Sequence, residues 1–267
     1  MSNDTQVVLL AGGMGKRLGK DVPKCLLEVI NDGSSKLTLL DICMDKLIKN
    51  GFKEFILLLG YKAEEVIKHV EGKYNKNNKN KSSAADDNNI IVKYSIDPSN
   101  RLGWGKAKAF KYALMNNKID YGKRSLVTFP DDIILDDNIY LQFINAHVKN
   151  VLAKGSYATI ALVNCIEYPY GVAEVDKDGN ITLLKEKPLL NIPTSIGLYA
   201  FEPKVYEIID ELIDVEGKER QELESIILPK LAEMRRLASF FVDYSKWLPI
   251  NTIKDYEKAL SIFANKL

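Results

Sequence analysis

The 267-residue chain is 46% hydrophobic, which is enough apolar material for one large α/β domain or for a domain with an appended half. Its 37 Lys and Arg balance 36 Asp and Glu, so the net charge of +1 excludes a general electrostatic attraction to nucleic acid or to an anionic membrane. Three widely spaced cysteines, a start without a basic leader and only short apolar runs predict a cytoplasmic protein with reduced thiols and no membrane span.

The first predicted strand leads into a glycine-rich, basic loop. Residues 7–11 are all apolar and are typical of a short buried strand, and Gly12-Gly13-Met14-Gly15 follow directly. The cations that come next are Lys16, Arg17, Lys20 and Lys24. Glycine lets the backbone bring its N–H groups close to an anion, and neighbouring cations neutralise the bound charge. The pattern therefore predicts a loop that binds a polyphosphate.

Two familiar phosphate-binding patterns do not fit this loop. A P-loop requires Gly-Lys followed by Ser or Thr, but Arg17 stands at that position and Leu10 replaces the opening glycine. The dinucleotide pattern would place Leu18 at its third glycine. The next predicted strand also ends in Gly60-Tyr61 rather than in a ribose-binding acid.

Predicted helices and strands alternate along the following chain, which indicates a parallel sheet covered by helices on both faces. Thr38 and Asp41 form a capping-box pattern at the start of the first helix. The low-complexity residues 72–89 are predicted to be a mobile surface insertion without chemistry. The predicted strands are 7–11, 54–59, 90–96, 125–129, 157–163, 195–201 and 237–243, with a hairpin at 170–176 and 181–184. The predicted helices are 39–48, 62–71, one ending near 116, 203–213, 222–236 with a kink at Pro229, and 252–263.

The glycine loop together with Pro23-Lys24 resembles a known family signature. The pattern Gly-Gly-x-Gly-x-Arg, a short spacer and Pro-Lys resembles that of the sugar-phosphate nucleotidyltransferases, also called NDP-sugar pyrophosphorylases. This resemblance implies a Rossmann-like three-layer α/β sandwich with a mostly parallel central sheet and a smaller mixed β/helical sugar-binding part. It implies one domain, residues 1–267, with a nucleotide-binding half at 1–165 and a sugar-phosphate-binding half at 166–267.

A second glycine segment resembles the part of this family that meets the nucleobase. Residues 101–110, RLGWGKAKAF, are similar to a segment of bacterial UTP:glucose-1-phosphate uridylyltransferases. The resemblance implies that Gly103 and Ala11 border the base. Trp104 is expected either to stack on the ligand or, as we favour, to be a core or rim aromatic.

Two acids directly follow the predicted strand at 125–129, where ligands bind in open α/β sheets. The resemblance implies that Asp131 binds Mg²⁺, although Asp132 as the ligand, or both residues as turn caps, stay open. Asn251 stands where relatives carry a second metal-binding aspartate. Either one acid is enough for the metal, or Asp255 replaces the missing one, or catalysis is compromised. For Asp255 we favour a cap on the last helix together with Thr252.

The predicted hairpin ends in Lys185-Glu186-Lys187-Pro188, which resembles the Glu-Lys-Pro element of the family. The resemblance implies that Glu186 binds sugar hydroxyls, that Lys187 binds the sugar phosphate, and that Gly171 and Gly197 border the sugar. Taken alone, the same residues are an ordinary exposed, charged strand end.

The resemblance implies Mg²⁺-dependent transfer of a nucleotidyl group from an NTP to a sugar 1-phosphate. UTP and glucose 1-phosphate are favoured as substrates. Two alternatives stay open: a cytidylyl- or thymidylyltransferase that acts on another sugar or small-molecule phosphate, and a non-catalytic regulatory or nucleotide-binding relative. Arg17 is expected to neutralise the leaving pyrophosphate, Lys24 the α-phosphate, while Gly12, Gly13 and Gly15 supply backbone N–H groups. No histidine lies near these elements, which agrees with a reaction that needs no general base. The sequence leaves a homo-oligomer open.

Overall fold

The computed structural model describes residues 4–15, 18–31, 36–75, 90–98 and 104–264. Its strands are β1 (Thr5–Leu10), β2 (Glu28–Asn31), β3 (Lys36–Thr38), β4 (Glu54–Leu59), β5 (Ile91–Ile96), β6 (Arg124–Thr128), β7 (Asp132–Ile134), β8 (Ala158–Val163), β9 (Ile166–Glu167), β10 (Val172–Val175), β11 (Ile181–Lys185), β12 (Leu189–Leu190), β13 (Thr194–Phe201), β14 (Leu237–Val242) and β15 (Trp247–Pro249). Its α-helices are α1 (Leu39–Lys49), α2 (Ala63–Val70), α3 (Lys106–Met115), α4 (Ile139–Lys154), α5 (Pro203–Leu212), α6 (Leu228–Glu233) and α7 (Ile253–Ala264).

A seven-stranded sheet in the order β14-β8-β13-β6-β1-β4-β5 forms the centre of the molecule. β6, β1, β4 and β5 are mutually parallel, and β14 is parallel to β8. β13 is antiparallel to both of its neighbours, β6 and β8. The prediction of a mostly parallel sheet is confirmed, but the alternation of elements does not predict the reversed strand. β13 is reversed because the chain passes from β8 to β13 without a helix, whereas two parallel neighbours need a long crossover connection, usually a helix.

The two faces of the sheet pack against different helices. Val7 and Leu9 of β1 face a core shared with α1, α2 and α4, whereas Val8 faces a core shared with α3, α5 and α6. Because successive side chains of a strand point to opposite faces, one apolar run can fill both cores. This arrangement confirms the predicted three-layer sandwich. A third apolar cluster lies where α7 packs on β2 and β15.

Local sequence signals set several element ends. The capping box predicted at Thr38 and Asp41 is confirmed, since the Thr38 N–H donates to Asp41 Oδ2 over 2.9 Å and the Asp41 N–H donates to Thr38 Oγ1 over 3.2 Å. Near Pro229, where a kink is predicted, the helix changes from a π-helix at Leu223–Ile227 to α6, and the kink itself stays a prediction. Residues 76–89 of the predicted surface insertion lie outside the described residues. Within the described chain, every helix is too short or too polar to cross a membrane.

The capping acid Asp41 also joins α1 to α2 and to the turn that follows it. Its fully buried carboxylate lies 2.9 Å from His69 Nε2, accepts a hydrogen bond from the Tyr74 hydroxyl at 3.2 Å, and lies 3.0 Å from Lys73 Nζ. Burial by itself raises the pKa of Asp41, but the hydrogen bonds from His69 and Thr38 outweigh it and hold the pKa well below its usual range. The ionised carboxylate is therefore a stabilising part of the fold.

We predict that Asp41→Asn lowers the free energy of unfolding at pH 7 by about 1.5–3 kcal/mol, because hydrogen bonds to a buried charge are lost. A depressed folded-state pKa gives stability that is present above the unfolded pKa of roughly 4 and is lost as the pH falls. The difference between wild type and variant should therefore shrink in urea titrations at pH 3. The control Asp137→Asn removes an acid whose side chain is 87% exposed, and it should change stability by less than about 0.5 kcal/mol. Equal effects of the two substitutions would contradict the role of Asp41.

Candidate active site

A cleft of about 700 Å³ opens at the carboxyl ends of β1, β4, β5 and β6. The residues directly after these parallel strands line it, as expected for the edge of an open α/β sheet where ligands bind. Five of the predicted site residues line the cleft: Ala11, Gly12, Gly13, Lys24 and Asp131. The cleft lining also includes Gly60, Tyr61, Asp97, Trp104, Lys106, Phe129 and Arg220.

Two glycines of the glycine loop, Gly12 and Gly15, stand where a side chain would be unfavourable, whereas a Cβ on Gly13 would meet no atom within 4 Å. A Cβ on Gly12 would lie 3.0 Å from the backbone nitrogen of Gly60, while the Gly12 carbonyl accepts a hydrogen bond from the Tyr61 N–H at 3.1 Å. Gly15 has a φ of +65°, a conformation that favours glycine. The loop then folds back, and the Lys24 N–H donates to the Gly13 carbonyl over 3.1 Å. The glycines thus position Lys24 at the mouth of the cleft.

Three predicted site residues meet at one point. Lys24 Nζ forms an ion pair with the carboxylate of Asp131 and lies 3.4 Å from Asn251 Oδ1. β15 pairs with β7, and the Ile250 N–H donates to the Asp131 carbonyl over 2.9 Å, so the C-terminal part of the chain delivers Asn251 to this point. The structure therefore brings together both positions that the sequence assigned to the metal.

The donor atoms at this point suit a hard cation. Mg²⁺ prefers oxygen ligands and is commonly held by one or two protein side chains plus water and substrate phosphates. Asp131 and Asn251 offer one carboxylate and one amide oxygen beside the glycine loop. The described residues contain no cluster of three or more His, Cys, Asp and Glu, so they form no metal site made of such side chains alone.

Asp132 and Asp255, the two alternative metal ligands, form hydrogen bonds with other residues. Thr252 and Asp255 cap α7 reciprocally, at 2.9 Å and 3.2 Å, which confirms the capping interpretation of Asp255. Asp132 accepts a hydrogen bond from the Trp247 indole at 2.8 Å. Burial raises the pKa of Asp132 to about 6, and the nearby charge of Asp131 adds to this effect. Asp131 is therefore the acid of the pair that lines the cleft.

Gly197 lies against Asp132 and Phe129. A Cβ on this residue would be 2.3 Å from Asp132 Oδ2 and 2.5 Å from the Phe129 ring. Close packing inside the protein is therefore a sufficient reason for glycine at this position. Its predicted place beside the sugar stays a prediction.

The other predicted sugar-binding residues lie on the β10–β11 hairpin and its exit. Gly171 and Glu186 are neighbours, because a Cβ on Gly171 would lie 3.1 Å from Glu186 Oε2. Lys187 has a φ of +45°, an uncommon conformation for a residue with a side chain, which is often found at functional sites. These side chains are exposed and do not line the cleft described above. Their sugar-binding roles also stay predictions.

Two predicted site residues, Arg17 and Gly103, lie outside the described residues. Trp104 is described, and the core interpretation is confirmed for it: the side chain is buried and its indole donates to the Val215 carbonyl over 3.1 Å. It also packs edge-on against Tyr112 with ring centroids 5.3 Å apart.

Sequence reasoning missed Asp97, which directly follows β5 and lines the cleft. Burial raises the pKa of its carboxyl group to about 6. The signal was an acid at the carboxyl end of a parallel strand, the same signal that identified Asp131. Arg220 was missed too, because the loop that brings it to the cleft has no recognisable local pattern.

The sheet, the basic glycine loop and the paired oxygen ligands define an α/β protein whose cleft is suited to a polyphosphate. The family described as Nucleotidyl transferase matches residues 6–266, and the chain belongs to this family. The expected resemblance to nucleotidyltransferases is thereby confirmed. A curated relative, the UTP–glucose-1-phosphate uridylyltransferase AglF of Haloferax volcanii, is 26% identical over 211 residues, which cover 75% of this chain and 73% of the relative. The chain spans about half the length of the other curated relatives it matches.

Solved structures share the fold. One described as a glucose-1-phosphate thymidylyltransferase from Bacillus anthracis, in complex with a sucrose, has a TM-score of 0.66 at 19% identity, over 97% of this chain and 94% of that chain. HddC from Yersinia pseudotuberculosis, complexed with GMP-PN, has a TM-score of 0.57 at 25% identity, over 97% of this chain and 99% of that chain. At 19% identity, the similarity to the Bacillus anthracis structure establishes a shared fold and nothing about function.

The cleft wall depends on Gly105, which adopts a φ of +95° at the start of α3. A Cβ there would lie 2.1 Å from the Gln221 carbonyl oxygen, which also accepts a hydrogen bond from the Ala107 N–H at 3.1 Å. We predict that Gly105→Ala lowers the free energy of unfolding by at least about 2 kcal/mol in urea titrations, through backbone strain and overlap.

Gly72→Ala is the matched control, since a Cβ at that glycine would meet no atom within 4 Å and its φ is not left-handed. It should leave stability unchanged or raise it by up to about 1 kcal/mol. A Gly105→Ala protein as stable as the control protein would show that the wall tolerates a side chain.

Proposed function

We propose that this chain transfers a nucleotidyl group from a nucleoside triphosphate to a sugar 1-phosphate and releases pyrophosphate. The observation that carries the proposal is the meeting of Lys24, Asp131 and Asn251 beside the glycine loop at the carboxyl edge of the sheet. Membership of the nucleotidyl transferase family over residues 6–266 supports the same class of reaction.

The reaction needs charge and positioning more than proton transfer. An oxygen of the sugar phosphate attacks the α-phosphorus of the triphosphate, and the bond to pyrophosphate breaks. The attacking oxygen is already an anion near neutral pH, so the protein has to hold two anions in line and neutralise the departing charge. Lys24 is suited to the α-phosphate, and the N–H groups of Gly12, Gly13 and Gly15 are suited to the phosphates beyond it. Arg17, outside the described residues, is proposed for the leaving pyrophosphate.

Asp131 and Asn251 are the side chains proposed to hold Mg²⁺. A magnesium ion bound there would stabilise negative charge on the phosphate oxygens as a Lewis acid. The contacts of Lys24 with both side chains support this role, because a cation already occupies the space between their oxygen atoms.

For the acceptor we propose glucose 1-phosphate, with Lys187 on its phosphate and Glu186 on its hydroxyls, near Gly171 and Gly197. The name of AglF supports both this acceptor and UTP as the donor, as the sequence resemblance does. The complex of HddC with GMP-PN supports a guanine nucleotide instead.

A non-catalytic nucleotide-binding role is a second candidate, favoured by the amide at Asn251, because a neutral oxygen binds Mg²⁺ more weakly than a carboxylate. Pyrophosphate release should be measured with each of four NTPs and several sugar 1-phosphates while Mg²⁺ is titrated. Release with one preferred pair supports catalysis. Binding of an NTP without release from any pair would favour the second role.

We predict that Asp131→Asn lowers kcat by roughly two to three orders of magnitude, because a preorganised charge at the phosphates is lost. It should also raise the Mg²⁺ concentration needed for half-maximal rate. Asp136→Asn is the control, since Asp136 accepts a hydrogen bond from the Asn138 N–H in a turn and does not line the cleft. An unchanged magnesium requirement in Asp131→Asn would rule out Asp131 as a ligand.

We predict that Lys187→Ala raises KM for the sugar 1-phosphate by roughly ten- to hundredfold and leaves the NTP affinity unchanged, because a charge-assisted contact to phosphate is removed. Lys185→Ala, two positions away on β11, should change neither value. Steady-state kinetics with each substrate varied in turn measures both effects. A loss confined to the NTP would contradict the assignment.

A further inference from the structure

One acid in the cleft has no function in the reaction as proposed so far. Asp97 lies directly after β5, and one of its carboxylate oxygens is 3.4 Å from the position that a Cβ on Gly60 would occupy. Among the residues that the structure describes, its side chain has no hydrogen-bond or ion-pair partner, and burial is what raises its pKa, to about 6. A partly desolvated carboxylate without a donor is unfavourable unless a ligand supplies one.

Among the residues that the structure describes, the cations that line this cleft are matched to other acids. Lys106 Nζ lies 2.7 Å from Glu224 Oε1, and the Arg220 guanidinium forms an ion pair with Glu222. Within the described part of the chain, no cation compensates Asp97, so its carboxylate is an acceptor for the ligand; an ionised carboxylate accepts hydrogen bonds and donates none.

The position of Asp97 in the sheet matches the base of a nucleotide rather than its ribose. Asp131 and Lys24 fix the phosphate end beside β6, and β5 is three strands away across β1 and β4. With strands about 4.8 Å apart, this separation is roughly 14 Å. In an extended nucleotide the ribose lies next to the α-phosphate and the edge of the base lies farthest from it. Gly12 and Gly60 line the same cleft and present backbone rather than side chains to a flat ring.

We infer that Asp97 selects the base of the donor nucleotide, and that this base is guanine. Guanine presents N1–H and the 2-amino group side by side, so the two oxygens of one carboxylate can accept from both. Adenine and cytosine present one amino donor beside a ring-nitrogen acceptor. Uracil and thymine flank their single N–H with two carbonyl acceptors, which a carboxylate repels. The inference rests on the proposed function for its orientation of the nucleotide, and it replaces the UTP expected from the sequence with GTP.

Binding measurements on the wild-type protein give the first test. Isothermal titration with GTP, ATP, CTP and UTP in the presence of Mg²⁺ should rank GTP first, by roughly ten- to hundredfold over UTP. Inosine triphosphate keeps N1–H but lacks the 2-amino group, and it should bind roughly tenfold more weakly than GTP. A preference for UTP, CTP or ATP would overturn the inference.

A substitution gives the second test. Asp97→Asn should weaken GTP binding by roughly ten- to hundredfold and improve binding of xanthosine triphosphate, because the amide donates to the 2-oxo group while its oxygen still accepts from N1–H. The control Asp4→Asn makes the same chemical change before β1, at the opposite edge of the sheet, and should alter neither affinity. An equal loss of all four NTPs in Asp97→Asn would assign this residue to the ribose and overturn the inference. A thermal melting curve confirms that each variant is folded.

The outcome separates this inference from the proposed function. Pyrophosphate release with UTP but not GTP would refute guanine selection and leave nucleotidyl transfer standing. Tight GTP binding that depends on Asp97, without release from any sugar 1-phosphate, would support the base assignment and refute the transfer reaction.

Discussion

The candidate active site depends on the parallel, in-register pairing of β6, β1, β4 and β5. Leu9 of β1 lies opposite Leu57 of β4 and Thr128 of β6, so all of these strands end at one edge. The residues that follow them therefore emerge together, although they come from widely separated parts of the chain. Both faces of β1, β4 and β6 are buried, and a slip of one of these strands by one residue would turn its side chains toward the wrong core. The packing of the sheet thus fixes where the glycine loop, Asp131 and Asp97 lie relative to one another.

Charge balance is the second constraint on this edge. The side chains of Lys24 and Asp131 are only 17% and 26% exposed, so each charge is partly removed from water and is compensated by the other. We expect a bound polyphosphate to redistribute this pair, because its oxygens compete with Asp131 for the ammonium group. Under the proposed function, the carboxylate would then be available to a cation that arrives with the nucleotide.

The sequence predicts the parts of the molecule that depend on neighbouring residues. The strand at Glu54–Leu59 and the capping box at Thr38 agree with the structure to the residue, since periodicity and capping are local properties. The reversed direction of β13 was not predictable in this way, because it depends on how the chain returns across the sheet. The hydrogen bond from Trp247 to Asp132 joins residues 115 positions apart and has no local signal. The place of Asn251 near Asp131 was expected only through family resemblance, and the pairing of β15 with β7 gives it a physical cause.

The same pairing bears on why an amide stands at position 251. With Lys24 and Asp131 already neutralising each other, a neutral side chain leaves this cluster without net charge, whereas a carboxylate would make it negative. A negative cluster attracts a divalent cation on its own but repels the triphosphate; a neutral one does neither strongly. Under the proposed function, this arrangement would favour entry of the metal and the nucleotide together, with the phosphates supplying the negative charge that Asn251 lacks.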